Sequence, residues 1–487
     1  MKYPAIRKTA FILACMVQIA VTAAVAATNS KEIPEYIGSQ ACLGCHADKY
    51  DTWKSSNHAQ MVVPIINSTA LPLDISKAPT DLQSELRKAT YMVANSFFLE
   101  RDPVTQHYLT LGVTYDKATK AYRPSNFKLD WSTSCSGCHT TNMHTPNLTW
   151  GEAGIGCEAC HGPGRDHALG KGDVSKIVSS KDSDICGQCH GGNDVQTGGK
   201  LMSDGTKWVV GFRPGMKLSE VRGIQLTKVD PAKIPPDSSV SVNHLRNYNM
   251  WEASGHSKAL SLVLKNQYAT ADCYGCHSAE GFAARLQNKK IDISRKESFS
   301  SLSCIACHDP HNSSNPRQLI MDPEKLCASC HSQDAVLKGK GAKGVEETRS
   351  FHSAVACVSC HMTEANHLMK VIRPDDPDLA DKRADTCTTC HKDNNRKARS
   401  AQLQQWQVSY KEKMDALQAD LKTVSTALKE KPDILSAELK TKFNDVRGNL
   451  SILVRDGSRS AHNHDYALEI MKLAGKDLSE IKAALKN

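Results

Sequence analysis

Eighteen of the nineteen cysteines stand in nine C-x-x-C-H motifs. The first five are Cys42/Cys45/His46, Cys135/Cys138/His139, Cys157/Cys160/His161, Cys186/Cys189/His190 and Cys273/Cys276/His277. Cys304/Cys307/His308, Cys327/Cys330/His331, Cys357/Cys360/His361 and Cys387/Cys390/His391 complete the set. Zinc ribbons, thioredoxin-like redox pairs and disulfides use cysteines at this spacing too, but none needs a histidine after every pair. Histidine is only 20 of 487 residues, so its recurrence identifies the chemistry. Two thiols add to the vinyl groups of a haem and the next imidazole ligates its iron. The pattern predicts nine covalently bound haem c groups.

The sixth ligand decides what each iron does. With two histidines it is saturated and passes electrons; with an open face it can bind and transform a substrate. Nine proximal histidines leave eleven others, enough to cap every iron. The expected distal ligands are His58, His144, His167, His244, His256, His311, His352, His367 and one of His462 and His464. His107, in an apparent strand, is the weakest candidate. Two of these histidines end a short repeat: Trp53 to His58 and Trp251 to His256 share W-x-x-S-x-H. On a helix that step leaves Trp and His near one face, with Trp packing where His meets iron.

These groups need a scaffold, and composition says what kind. Aromatic residues at 6% and a mean hydropathy of −0.43 make a thin core for a chain of this length. Haems would supply the missing apolar mass, which predicts a mainly α fold with much irregular structure wrapped around nine c-type haems, minor β in the N-terminal half and long C-terminal helices. The formal charge is +9. Loss of Lys2, Arg7 and Lys8 with an export segment, and about −1 from each ferric haem, bring the holoprotein to about −3. The cations are counter-charge for propionates, and no basic stripe with interleaved aromatics marks a nucleic-acid surface.

That export segment is residues 1–26: a basic start, an uncharged apolar run from Thr9 to Val25 that contains Cys15, and the small-residue pattern Ala24-Val25-Ala26. It predicts a periplasmic or extracellular protein, associated with a membrane only if the segment is retained. The motif-poor gap from Gly191 to Asp272 suggests a division into an N-terminal tetrahaem region (27–230) and a C-terminal pentahaem region (231–395). In the earlier gap, Thr90–Ala94 and His107–Tyr115 read as strands. Beyond His391 a helical region (396–487) follows. Leu403, Trp406, Tyr410, Leu417, Leu421, Val424 and Leu428 mark one helix, which Pro432 breaks. Leu435 through Leu453 mark a second, ending near Gly457, and a third runs from about Asp465 to Leu485. These helices either cover haems or form a homodimer contact.

From about His244 onward the motif order resembles the superfamily of pentahaem nitrite reductase, octahaem hydroxylamine oxidoreductase and octahaem tetrathionate reductase. The segment around Cys357-Val358-Ser359-Cys360-His361-Met362, with His352 before and His367 after, is similar to that family's penultimate haem segment. Cys387 to His391 matches its last haem, and the resemblance favours His462 over His464 as the late distal ligand. Gly156-Cys157 to Gly164, with His167 nearby, is similar to its tetrahaem modules. The departures bear on function. Nitrite reductases of this family ligate the catalytic haem through C-x-x-C-K, where the fifth motif here reads Cys273-Tyr274-Gly275-Cys276-His277. The tyrosine expected after Cys330-His331 is missing too. Hydroxylamine oxidoreductases keep histidine there, so His277 leaves catalysis open. Two functions follow: an electron carrier between a quinol-linked donor and a terminal acceptor in anaerobic or extracellular respiration, with no catalytic residue, or a reductase of nitrogen or sulfur oxyanions with one open haem, first sought at Cys273/Cys276.

Overall fold

The computed structural model describes residues 35–65, 74–145, 147–192, 208–221, 226–235, 247–392, 395–431 and 434–486. The expected export segment, Cys15 and His244 lie outside them. Two compact units form: residues 1–229 with 238–320, and residues 230–237 with 321–487. Motifs one to six therefore belong to the first unit and seven to nine to the second, a different partition from the four and five suggested by motif spacing. Contacts within the first unit explain it. The Ser183 hydroxyl, just before motif four, accepts from the Cys304 amide at 3.1 Å, and Tyr248 hydrogen-bonds the buried Asp184.

In the first unit, five short strands form an antiparallel sheet in the order β1-β2-β3-β4-β5. They are β1 (Val62–Pro64), β2 (Tyr91–Val93), β3 (Phe97–Arg101), β4 (Tyr108–Asp116) and β5 (Ala121–Pro124). Alternation assigns the faces. Met92 lies opposite Phe98 and packs with Leu111, Val113 and helix α1 (Thr80–Leu86) through Leu82 and Leu86. Val93 and Leu99 face the other way, onto Val62 and Trp131. Each fully buried side chain of this kind contributes about 1.5–3 kcal/mol, so the sheet carries its own core. Trp131 stands edge-on to His139, with ring centroids 6.1 Å apart, which ties the sheet to motif two. A second ribbon, β6 (Thr140–His144) paired with β7 (Thr149–Ala153), starts at the residue after His139 and ends just before motif three.

In the second unit three long helices supply the core: α2 (Arg396–Glu430), α3 (Ala437–Asp456) and α4 (His464–Ala484). Their three/four-spaced apolar residues, including Tyr410, Met414, Leu417 and Val424 on α2, meet Val446, Leu450 and Leu453 on α3 and Ile470, Ala474, Leu478 and Ile481 on α4. The apolar stripes are thus used within the chain. Asn395, Ser436 and Asn463 cap the three N-termini by accepting backbone N–H bonds. At its end α2 reaches Lys431, which leaves the helical region at φ −133° and ψ 78°; Pro432 itself is outside the described residues. Gly457 stops α3 with a φ of 69°. No helix among the described residues is long and apolar enough to cross a membrane.

Candidate haem-binding sites

Each motif folds as about one helical turn, which is what the chemistry requires. Backbone bonds from the histidine N–H to the first cysteine carbonyl close the turn at 2.9 Å in motifs one, six and nine and at 3.0 Å in motif seven. Residues i, i+3 and i+4 then share a face, so both thiols and the imidazole address one porphyrin. None of the eighteen motif cysteines is in a disulfide. Space around the turn is tight in places: a Cβ on Gly137, inside motif two, would overlap the Trp208 indole.

Motif six winds more tightly up to its second cysteine, Cys307. There the helical segment is a single 3₁₀ turn, Cys304–Ala306, and Cys307 follows it as the cap rather than lying inside it. Its amide donates to the Cys304 carbonyl at 3.1 Å, and its own carbonyl accepts from the Ile320 amide at 3.0 Å. The physical reason is a local strand-like pairing: His308 bridges to Leu319, so the chain must leave the helix at Cys307 to run alongside that segment. Motif nine is similar, with a 3₁₀ turn at Cys387–Thr389 capped by Cys390. In both, the tighter turn still keeps the two cysteines three residues apart on one side.

Five proximal imidazoles face a second imidazole at one recurring separation. Ring centroids lie 6.2 Å apart for His46–His167, 6.3 Å for His190–His58, and 6.1 Å for His161–His311, His391–His352 and His361–His462. An iron held about 2 Å from a nitrogen of each ring sets imidazole centroids about 6 Å apart. The separation is too long for stacking in contact and fits a shared metal. The donor set also has the right chemistry. Nδ1 of His161 donates to the Val178 carbonyl at 2.7 Å, His277 to Ala259 at 3.0 Å, His308 to Arg317 at 2.9 Å and His167 to Asp173 at 2.9 Å. Such bonds fix the tautomer and leave Nε2 to ligate. Burial pushes the His58, His311 and His361 imidazoles below the usual histidine range, keeping them neutral as a metal ligand must be.

Local structure positions the distal members. His58 follows the turn after the helix Ala47–Trp53 and bonds the Pro310 carbonyl. His167 rides the helix Arg165–Leu169. His311 lies just after motif six, yet reaches back to motif three. His462 occupies the turn between α3 and α4. The remaining expected ligands are His144, exposed at the end of β6, His244, outside the described residues, His256, whose amide bonds the Ser254 hydroxyl, and His367, whose Nδ1 donates to Ala365 at 2.9 Å. None belongs to the five pairs. Of the two histidines left aside, His107 engages Asp130 at 2.7 Å, and His464 stacks on Trp406 at 4.6 Å.

The W-x-x-S-x-H repeat is a docking device. Trp53 Nε1 donates to the Ile155 carbonyl at 2.9 Å, and Trp251 Nε1 to the Leu302 carbonyl at 2.8 Å. Both acceptors stand two residues before a motif, at Cys157 and Cys304. The tryptophan thus anchors a motif's leading strand of backbone, and the serine, buried in both copies, turns the chain toward the histidine. Motifs also touch one another. Cys42 stands near Cys157, Cys138 near Cys189 and Cys186 near Cys304 in the first unit, and Cys327 near Cys357 in the second. Sequence spacing carries no sign of these approaches.

The family described as doubled CXXCH motif matches residues 297–336, spanning motifs six and seven, and cytochrome c554 and c-prime matches residues 105–162, spanning motifs two and three. The multiheme cytochrome MtrA of Shewanella baltica is 22% identical over 241 residues, 44% of this chain and 56% of that protein; the match spans about half of that relative's length. Among solved structures, the outer cell wall cytochrome OcwA superposes with a TM-score of 0.77 at 23% identity, covering 91% of this chain and 100% of the other. The undecaheme cytochrome from the S-layer of Carboxydothermus ferrireducens gives 0.62 at 21% identity, over 95% and 71%. The fold is that of multihaem c-type cytochromes, and covalently bound haem c is the cofactor its motifs take.

Proposed function

We propose that the chain is a nonahaem electron carrier whose irons are each held by two histidines. The observation that carries this reading is the set of five imidazole pairs at one metal-spanning separation. The remaining proximal residues, His139, His277, His308 and His331, equal in number the remaining distal candidates, His144, His244, His256 and His367. When bound, the haems supply one-electron chemistry; the protein fixes ligand orientation, sets potentials and keeps the irons closed to substrate. The neighbouring cysteines of different motifs give electrons short steps within each unit. Kinship to the reductase superfamily is retained in the ligand order of the last two motifs, without an open iron.

Electrons enter and leave through the first and last haems on this reading. Cys45 and Cys390 are the two exposed motif cysteines, which supports these two ends as the docking places of a quinol-linked donor and a terminal acceptor. The wall and S-layer cytochromes it resembles suggest work outside the cytoplasm, after export through residues 1–26. A mature protein beginning at Ala27 tests the export step.

The decisive experiment is low-temperature electron paramagnetic resonance of the oxidised holoprotein, before and after nitrite or hydroxylamine. Low-spin signals alone, unmoved by either compound, are expected. A high-spin ferric signal that responds to them overturns the carrier in favour of an oxyanion reductase.

A further inference from the structure

His462 differs from the other paired histidines in what holds it. Its Nδ1 lies 2.6 Å from Asp456 Oδ1, and the Asp456 side chain is only 3% exposed. The comparable imidazoles of His161, His167 and His361 bond to backbone carbonyls, which carry no net charge. His311 also meets a carboxylate, but at 3.2 Å and with both groups about a third exposed, where water screens the charge.

Asp456 is poorly placed for stability. It is the last residue of α3, where the helix dipole presents its negative end and a carboxylate is disfavoured. Being buried adds a desolvation cost. Its second oxygen accepts from the Ser458 amide at 3.2 Å and from the Ser458 hydroxyl, and that hydroxyl accepts from the His462 amide at 3.1 Å. The tight turn therefore aims one buried anion at one imidazole.

We infer that Asp456 sets the potential of the haem attached at Cys357 and Cys360, lowering it. This inference rests on the reading that His361 and His462 hold one iron. A full anion on Nδ1–H draws the proton away and makes Nε2 a stronger donor, which favours ferric over ferrous iron. Asp456 touches neither iron nor porphyrin; it is a positioning residue acting through His462. The Thr386 hydroxyl, just before motif nine, donates to the Cys360 carbonyl at 3.3 Å, so a low-potential haem on motif eight stands next to motif nine.

The test is a spectroelectrochemical titration of the holoprotein and its variants. Asp456→Asn is expected to raise the midpoint of one haem by about tenfold in its reduction equilibrium, about 59 mV for one electron, leaving its low-spin signal in place. Asp456→Glu should restore most of the difference. Ser458→Ala removes a competing donor to the carboxylate and should shift the same haem downward, which gives a readout of opposite sign should the asparagine variant fail to load haem. Superimposable titrations of all variants and wild type, with His462→Ala still opening one iron to carbon monoxide, overturn the role of Asp456. If His462→Ala leaves every haem low-spin and closed, the ligation reading is what fails.

Discussion

His352 and His391 cross at 90°, whereas His161 and His311 lie 16° from parallel and His46 and His167 19°. Ligand-plane orientation splits the iron d orbitals of π symmetry, so these angles are directly observable. Perpendicular planes leave two orbitals nearly degenerate and give a strongly anisotropic low-spin ferric signal; near-parallel planes separate them and give a rhombic one. The oxidised holoprotein should show both types, and His352→Ala should remove the anisotropic component while sparing the rhombic ones. Loss of a rhombic component instead would reassign His352. Proximal candidates were legible because motif chemistry is local: a cysteine pair and the next residue must meet one porphyrin. The number of distal candidates was legible as well. Their partners were not, since His311 stands beside His308 in sequence but faces His161, and only the path of the backbone between them determines that. The exit of the chain from its turn at Cys307 was equally hidden, because it depends on Leu319 and Ile320 folding back beside the motif.

The elements that hold these ligands divide by how much of themselves the sequence displays. Helices α2, α3 and α4 were readable because long apolar stripes repeat over many turns. In the sheet, β2 and β4 were visible as runs of strand-forming residues, whereas β1, β3 and β5 were not. The tryptophan repeat was visible as a pattern, whereas its use was not. Both indoles bind a carbonyl two residues ahead of a motif, far from the repeat itself in the chain. Trp251→Phe keeps a packed ring and removes only the donor, leaving the Leu302 carbonyl without it. A loss of about 1–3 kcal/mol follows, measurable as a lower urea midpoint of the holoprotein, and Trp53→Phe should cost about the same. A neutral Trp251→Phe would show that the indole N–H anchors nothing.

At the scale of the molecule, the partition of motifs into six and three agrees with the histidine rings that distant segments bring together. His311, carried on the turn after motif six, pairs with His161 of motif three, and His58, before motif two, pairs with His190 of motif four. The second unit does the same with its own histidines, His352 and His462. Motif spacing reports where the chain pauses, not which histidine rings meet, and the contact grouping divides the motifs differently from the gap before Asp272. This organisation has a countable consequence. His311→Ala should open one iron in the first unit and His352→Ala one in the second, each binding a single carbon monoxide per reduced chain. Because the two pairs share no residue and sit in different units, their effects should add, so the double variant should bind two. A His311→Ala chain that binds none would mean that the iron of motif three takes its sixth ligand elsewhere. A double variant that binds more than two would mean that losing one ligand loosens others, and that the haems of a unit are held collectively rather than pair by pair.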